Sequence, residues 1–346
     1  MGNADGQGFF SSKYAAASRA LDERVNLKSV HRRLQAVAKV LIVTTFFEDA
    51  LRVLLTFSVQ QNSMRIAGWH SPMLHTGLPV FSFAVQTSGA LLVALPGASK
   101  RSEVGCYILL FWCMVHPIMY RQESNWEFVL ETLTIMGGLL ILLSHCMLVG
   151  ASTASKLAPT LPTKAVSAKA VGPSAALAEG GAAGRAHAIQ AVGRVLINAI
   201  FLYYAFVKVH GYTQRVFSSI QSSDWSAPVA EGALIIGTLY MCSLLIIGIK
   251  SRVVALILAV LMALSACYMH PFWIYALSTK TYRMEGVAHM EGFEVDAFTM
   301  GDHQRYFFFQ TMSTVGALLL LVVHGPGKLS MDEQQGQLVL ITTHDA

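Results

Sequence analysis

Long apolar runs separated by short polar segments are the dominant pattern along the chain. Eight of them are long enough, or nearly so, to cross a hydrocarbon core of about 30 Å. Because backbone groups in lipid must be hydrogen-bonded internally, runs of this length predict helices. We therefore predict an all-α, polytopic integral membrane protein of about eight transmembrane helices. The runs cover residues 38–59, 76–95, 104–120, 128–149, 192–210, 229–249, 252–275 and 305–324.

The composition agrees with a membrane protein and narrows its chemistry. The 346 residues are 54% hydrophobic and 13% charged, whereas soluble domains carry about 25% charged residues. The five cysteines are odd in number and show no CxxC spacing, so we expect neither a disulfide framework nor a metal site. No P-loop, HExxH or GxSxG motif is present, and the N-terminal basic cluster is typical of membrane topology signals. We expect no enzyme, no cofactor and no nucleic-acid binding.

The basic residues predict the orientation. With a cytoplasmic N-terminus, 17 of the 25 Lys and Arg residues fall on the cytoplasmic side, 7 fall on the far side, and Arg52 lies inside the first span. This bias follows the positive-inside rule and favours an even number of spans with both termini in the cytoplasm.

The runs divide the chain into two membrane units joined by a linker. The segment between the units is rich in Ala, Gly, Ser and Pro, which is typical of a flexible connection. The predicted parts are a cytoplasmic basic tail (1–35), a first four-helix unit (36–149), a flexible cytoplasmic linker (150–191), a second four-helix unit (192–324) with a far-side loop (276–304), and a cytoplasmic tail (325–346).

The two units resemble each other in sequence. The stretch "ETLTIMGGLLILLSH" (131–145) aligns without a gap to "QTMSTVGALLLLVVH" (310–324), and the third and seventh spans both end in His-Pro. Because each unit contains an even number of spans, both would have the same orientation. The pattern therefore predicts a parallel repeat about an axis along the membrane normal.

Three charged residues interrupt the first span. Arg52 follows Glu48 by four residues and Asp49 by three, so both carboxylates can reach its guanidinium on one helical face. Each charge costs about 2.5–3.5 kcal/mol at the bilayer centre on insertion scales. We expect the group to face the bundle interior or a water-filled cavity, where it either binds a ligand or holds helices together.

Other polar side chains fall at the far-side ends of the spans. His116 and His270 end the third and seventh spans, and Glu131 and Gln310 begin the fourth and eighth. We expect them to line a far-side pocket floored by the first-span charges, although an aromatic such as Trp273 is also typical of the membrane interface. The candidate binding site therefore comprises Glu48, Asp49, Arg52, His116, Glu131, His270, Trp273 and Gln310.

Four stretches resemble the surfeit locus protein 4 family of endoplasmic reticulum cargo receptors. The last is the most specific, because it includes the non-apolar "GPGKLSMDE". The resemblance implies a receptor in the endoplasmic reticulum membrane that cycles to the Golgi. It would bind soluble lumenal secretory cargo by short hydrophobic, often N-terminal, signals and load it into coat complex II vesicles. The stretches are "FFEDALRV" (46–53), "GRVLI" (193–197), "HPFW" (270–273) and "FFFQTMSTVGALLLLVVHGPGKLSMDE" (307–333).

The resemblance makes the far side the lumen and names the expected partners: lumenal cargo, vesicle coat components and membrane lipid, with a homo-oligomer left open. We expect Glu131 or the Glu48/Asp49 pair to receive the α-ammonium of a cargo N-terminus. His116 and His270 would tune affinity as lumenal pH falls towards the Golgi.

One feature departs from the family pattern, and two other functions remain open. Family members commonly end in a lysine-based retrieval signal, whereas this chain has no lysine after Lys328. Intramembrane charges also suit a transporter or channel for a small solute. A membrane oxidoreductase is the second alternative, although the cysteines and histidines show no pairing that favours it.

Overall fold

The computed structural model describes residues 27–97, 99–157, 173–222, 226–283 and 294–332. These residues form helices joined by short turns, with a single two-stranded hairpin in the part of the chain described. The helices are α1 (Leu27–Leu55), α2 (Phe57–Ile66), α3 (Pro72–Ala94), α4 (Ser99–Met119), α5 (Trp126–Leu157), α6 (Pro173–Leu196), α7 (Ala199–Ser222), α8 (Ser226–Ile247), α9 (Ser251–Met269), α10 (Phe272–Tyr275) and α11 (Ala297–His324). The antiparallel strands are β1 (Thr281–Arg283) and β2 (Glu294–Asp296).

The all-α, polytopic prediction is confirmed. Within the described residues, six helical segments are long and apolar enough to cross a membrane. The other two predicted spans correspond to α1, which carries the three charges, and to α8, whose apolar part covers only Glu231–Ile247. The count of eight spans therefore stays a prediction. The six segments are Pro72–Ala94, Ser99–Met119, Trp126–Gly150, Ala183–Val209, Ser251–Tyr275 and Ala297–His324.

The linker differs from the expected flexible segment. Helix α5 continues to Leu157, and α6 begins at Pro173, well inside the predicted linker (150–191). Proline is favoured at the first helical position and alanine has the highest helix propensity, so the Ala-rich stretch after Pro173 is helical. Residues 158–172 lie outside the described residues.

The far-side loop also contains more structure than its polarity predicted. Residues 276–304 include both strands of the hairpin and the first two turns of α11. Helix α11 begins at Ala297 because the Asp296 side chain accepts a hydrogen bond from the Thr299 amide at 3.3 Å, which is an N-cap. The last membrane helix therefore extends eight residues before the predicted start at residue 305.

Helices α5 and α11 lie side by side at the centre of the bundle. Three pairs of residues that align in the two sequence blocks contact each other, and successive pairs are seven residues apart. Gln310 donates a hydrogen bond to Glu131 at 2.7 Å. One heptad further on, a Cβ on Gly138 would overlap the Ala317 methyl group, and the His145 and His324 rings stack at 3.7 Å. This spacing keeps all three pairs on one contact face.

Helices α5 and α11 also make similar contacts with the helices on their outer sides, α6 and α1. A Cβ at Gly137 of α5 would lie 2.6 Å from the backbone nitrogen of Ile197, immediately after α6. A Cβ at the aligned Gly316 of α11 would lie 2.5 Å from the backbone nitrogen of Ile42 in α1. The repeat itself stays a prediction, and this packing is what such a repeat would produce.

The helix ends define two faces. The first, which we call the basic face, carries the start of α1, the turn between α3 and α4, the start of α9 and the end of α11. The second, which we call the distal face, carries the α2–α3 turn, the α4–α5 turn, α10 and the hairpin. Contacts within each face support this division: Gln35 meets His145 on the basic face, and the Trp69 indole donates to the Met119 carbonyl on the distal face.

The family-like stretch after α11 ties three helices together on the basic face. Arg194 of α6 donates to the carbonyls of Pro326 and Leu329 at 2.6 and 2.8 Å. The Asp332 carboxylate accepts hydrogen bonds from the amides of Lys250 and Ser251, where α9 begins. Burial acts to raise the pKa of this carboxyl, but the amide donors outweigh it and hold the pKa below its usual value. The polar stretch therefore holds together the C-terminal ends of α6 and α11 and the start of α9.

We expect Gly316→Ala to destabilise the bundle, because the new methyl group would meet the backbone of α1. Overpacking of this kind costs about 1–3 kcal/mol. The matched control is Gly237→Ala in α8, where a Cβ meets nothing within 4 Å, so that removing glycine from a helix interior should be neutral or stabilising. Thermal unfolding of the two detergent-solubilised variants checks this, and equal melting temperatures would contradict it.

Candidate functional site

A cavity of about 510 Å³ opens on the distal face. Its walls come from the end of α1, from α2, from the α4–α5 turn with its flanking helix ends, and from the first turns of α11. Aromatic rings make up much of the wall, and charged groups lie at two places. The lining residues are Arg52, Thr56, Val59, Gln60, Ser63, His116, Tyr120, Gln122, Phe128, Phe298, Thr299, Asp302, His303, Tyr306 and Phe307.

Arg52 forms the floor of this cavity. Its guanidinium makes an ion pair with Asp49 on the preceding turn of α1 and lies over the Tyr306 ring, 5.0 Å from the centroid. The Arg52 side chain keeps 21% of its surface exposed, whereas that of Asp49 keeps 5%. The cation therefore reaches the cavity and its carboxylate partner does not.

The two adjacent carboxylates have different partners. Asp49 is bound through both oxygens, by Arg52 and by the Gln86 amide of α3 at 2.5 Å. Glu48 lies on the same helical face as Arg52, but it accepts its hydrogen bond from Arg305 of α11, at 3.1 Å. The first-span charges thus connect α1 to α3 on one side and to α11 on the other.

Arg305 extends the cluster to a third carboxylate. It also donates to Asp302, one turn earlier in α11, at 2.5 Å. The cluster then holds three carboxylates and two guanidinium groups, which leaves one net negative charge. Asp302 is the acid among the three that lines the cavity, and its side chain is 23% exposed. Such a cluster favours a cationic ligand group near Asp302.

The sequence interpretation missed Asp302, because it placed residues 276–304 in a loop. A signal for it was present: Asp302 and Arg305 are three residues apart, which is ion-pair spacing on a helix. The N-cap pattern of Asp296 and Thr299 marks a helix start before Asp302, so that Asp302 and Arg305 both lie within the helix.

The remaining predicted residues separate into two groups. His116 lines the cavity and also a smaller one of about 30 Å³ beneath it, which Asp49 and Gln310 line as well. The Trp112 ring stacks on His116 at 5.1 Å, which fixes the imidazole between the two spaces. Gln310 thus lies below the floor, where it binds Glu131.

Glu131, His270 and Trp273 lie outside the lining of both cavities. Glu131 is held by Gln310 between α5 and α11. The His270 Nδ1 atom lies 2.9 Å from the Gln304 Oε1 atom. Trp273 is 47% exposed and packs edge-on against Phe308. These three side chains support the walls of the bundle rather than the cavity surface.

Sequence comparison extends the likeness over nearly the whole chain. A sequence model of the SURF4 family matches residues 12–285 and 292–337. The chain belongs to the SURF4 family. The match includes the residues of the charge cluster, so this SURF4-family protein carries its distal cavity inside the matched region.

Relatives at low identity cover almost the same length. The chain is 24% identical over 324 residues to a surfeit locus protein 4 homolog of Drosophila melanogaster, covering 94% of this chain and 97% of the relative. It is 24% identical over 324 residues to the ER-derived vesicles protein ERV29 of Saccharomyces cerevisiae, covering 93% of this chain and 84% of the relative. No solved structure matches significantly.

We expect Arg305→Gln to destabilise the protein strongly, because it leaves the Glu48 carboxylate, 2% exposed, without its cation. Breaking a buried ion pair by removing one partner costs about 3–5 kcal/mol. The double variant Arg305→Gln with Glu48→Gln should recover part of this loss, since it removes the buried charge as well.

Thermal unfolding in detergent measures these variants against Lys100→Gln. Lys100 pairs with Glu103 on the basic face but is 80% exposed, so its removal should change stability by at most about 1 kcal/mol. Equal losses for Arg305→Gln and Lys100→Gln, or no recovery in the double variant, would show that the cluster is not a buried network.

Proposed function

We propose that this protein is an endoplasmic reticulum cargo receptor that binds soluble lumenal secretory proteins in its distal cavity. Family membership supports this, together with the name of the yeast relative, a protein of vesicles derived from the endoplasmic reticulum. The observation that carries the proposal is a cavity with aromatic walls, an acidic group at its side and a closed floor. Packaging into coat complex II vesicles and cycling to the Golgi are parts of the proposal that follow from the family likeness.

The size and walls of the cavity suit a short peptide segment. Ligand sites of about 300–1,000 Å³ bury small molecules or a few residues, and this one holds about 510 Å³. Apolar side chains of a cargo signal would pack against the rings of the wall, which gives affinity through burial. The rings are those of Tyr120, Phe128, Phe298, Tyr306 and Phe307.

We assign the cargo α-ammonium to Asp302 rather than to Glu48, Asp49 or Glu131. Asp302 lines the cavity with a side chain that is 23% exposed, although Arg305 also binds it. The other three carboxylates are outside the cavity lining and are held by neighbouring side chains. The negative charge of the whole cluster supports a cation at this place. Glu48 and Asp49 then act indirectly, by holding Arg305 and Arg52 where they shape the cavity.

The orientation follows from the basic face. Lys and Arg residues concentrate there, so this face would be cytoplasmic and the distal face lumenal. The cavity would then open towards soluble cargo, and the termini would face the vesicle coat. Residues 333–346, the end of the predicted cytoplasmic tail, lie outside the described residues.

The closed floor argues against an open channel for a small solute. Beneath Arg52 the space is about 30 Å³, which suffices for about one or two waters. Further down, the Gly138–Ala317 contact brings α5 and α11 together. An open channel requires a continuous path, whereas a cavity closed below suits a ligand that enters and leaves from one face.

We expect Asp302→Asn to weaken binding of a peptide with a free N-terminus and apolar first residues by about 10–100-fold, the equivalent of one charge-assisted hydrogen bond. The same peptide with an acetylated N-terminus should bind both forms equally, because it lacks the ammonium group. Fluorescence polarisation with labelled peptide and purified receptor measures this. Glu294→Gln, an exposed carboxylate on β2 of the same face, is the matched control.

Two outcomes would contradict the assignment. If Asp302→Asn weakened both peptides alike, the carboxylate would act through the fold and not on the ammonium group. If instead Glu48→Gln or Asp49→Asn abolished the difference between the free and acetylated peptides while Asp302→Asn did not, the buried pair would be the receptor of the amine.

A further inference from the structure

A second polar cavity lies on the basic face, away from the proposed cargo site. It has a volume of about 250 Å³ and sits between the end portions of α5 and α11 and the middle of α6. Three histidines and a lysine dominate its polar lining: His145, His187, His324 and Lys328. Neither the family likeness nor the cargo mechanism uses this space.

Two ring nitrogens around the cavity have no hydrogen-bond partner. They are Nδ1 of His187 and Nε2 of His324, each inaccessible to water in the described structure. An unpaired buried polar atom costs about 1–3 kcal/mol, so a native structure normally supplies it with a partner, a water or a ligand. Each of these nitrogens can carry a hydrogen, and because neighbouring atoms cover it, its ring must turn towards the cavity to donate that hydrogen to a bound acceptor.

The third histidine is held in place by its neighbours. The His145 ring stacks on His324 at 3.7 Å, and its Nε2 atom lies 3.1 Å from the Gln35 side-chain nitrogen. Gln190, at the opposite wall, donates to the Gly325 carbonyl at 2.9 Å. The walls are therefore fixed by contacts that leave the two unpaired nitrogens in position.

Positive charge surrounds the cavity without a matching acid. Lys328 lines it and acts on His187, and Lys39 and Arg252 act electrostatically on His324. The other groups that act electrostatically on the three imidazoles are His31 and the imidazoles themselves. None of these groups is an acid. Among the residues described, no carboxylate forms an ion pair with Lys39, Arg252 or Lys328.

We propose that this cavity binds a phosphomonoester group, with His187, His324 and Lys328 as its donors. A phosphomonoester carries a charge of about −1.5 to −2 and three terminal oxygens, which match the three donors and the excess positive charge. Basic pockets between transmembrane helices at the cytoplasmic surface are typical sites for phosphorylated lipid headgroups. A free phosphate has the same chemistry, so the experiment separates the two sources.

A metal ion suits this cavity less well. In the part of the chain that the structure describes, no group of three or more His, Cys, Asp or Glu side chains is arranged to hold a metal. The surrounding lysines and arginine would also repel a cation. An anion gains from the same charges.

The experiment uses the full-length protein purified in detergent and three probes. Native mass spectrometry measures retention of phosphatidic acid, a phosphomonoester lipid, against phosphatidylglycerol, a phosphodiester with one negative charge. Thermal unfolding with inorganic phosphate tests the free anion. Lys328→Gln removes a positive charge from the cavity, His187→Phe removes a ring donor, and Lys100→Gln removes an exposed lysine from the same face outside the cavity.

We expect phosphatidic acid to be retained in preference to phosphatidylglycerol, and each donor variant to weaken its binding about tenfold. Lys100→Gln should bind like the unaltered protein. Stabilisation by inorganic phosphate that is lost in Lys328→Gln would equally support the site and assign it to a free phosphate. Equal retention of the two lipids together with no effect of phosphate would overturn the proposal, as would equal losses for Lys328→Gln and Lys100→Gln.

Discussion

The close contact between α5 and α11 is the constraint on which the rest of the structure depends. In lipid the hydrophobic effect does not drive helices together, so association relies on close packing and on polar contacts between helices. Here small residues provide the first: Gly138 meets Ala317, and Gly137 and Gly316 each receive the backbone of a further helix. These glycines fix α1 and α6 on opposite sides of the central pair.

The charged cluster follows from this arrangement. Because Gly316 draws α1 against α11, Glu48 of α1 comes within hydrogen-bond distance of Arg305. The charges that would be costly in lipid are thereby paired inside the bundle. Glu48 and Asp49 hold helices together, which was one of the two interpretations of the first-span charges. The cavity above them exists because Arg52 and Arg305 are anchored from below.

What the sequence predicted well depended on local spacing. The Asp49–Arg52 ion pair spans a single turn of one helix, and hydropathy located the apolar segments. The Glu48–Arg305 contact joins residues 257 positions apart, and no local pattern specifies it. Asp302 was missed for a different reason, since hydropathy places a helix start where apolar residues begin, whereas the N-cap at Asp296 starts it earlier. Ala-rich, polar stretches suit both flexible segments and helices, so composition alone did not predict that α6 begins at Pro173.

Under the predicted repeat, the charges of the first span can be compared with the corresponding positions of the second unit. Since Gly137 and Gly316 contact the backbone at Ile197 and Ile42, position 48 of α1 corresponds to Tyr203 of α7, and position 49 to Tyr204. The Tyr204 hydroxyl donates to Glu127 at 2.7 Å, so a neutral donor stands where α1 has a carboxylate. Arg52 corresponds to Val207, which offers no charge for a floor. Among the described residues, the second unit also carries a cavity, of about 480 Å³ beside Tyr204 and Lys208, but under the predicted repeat the Asp49–Arg52 ion pair has no counterpart there.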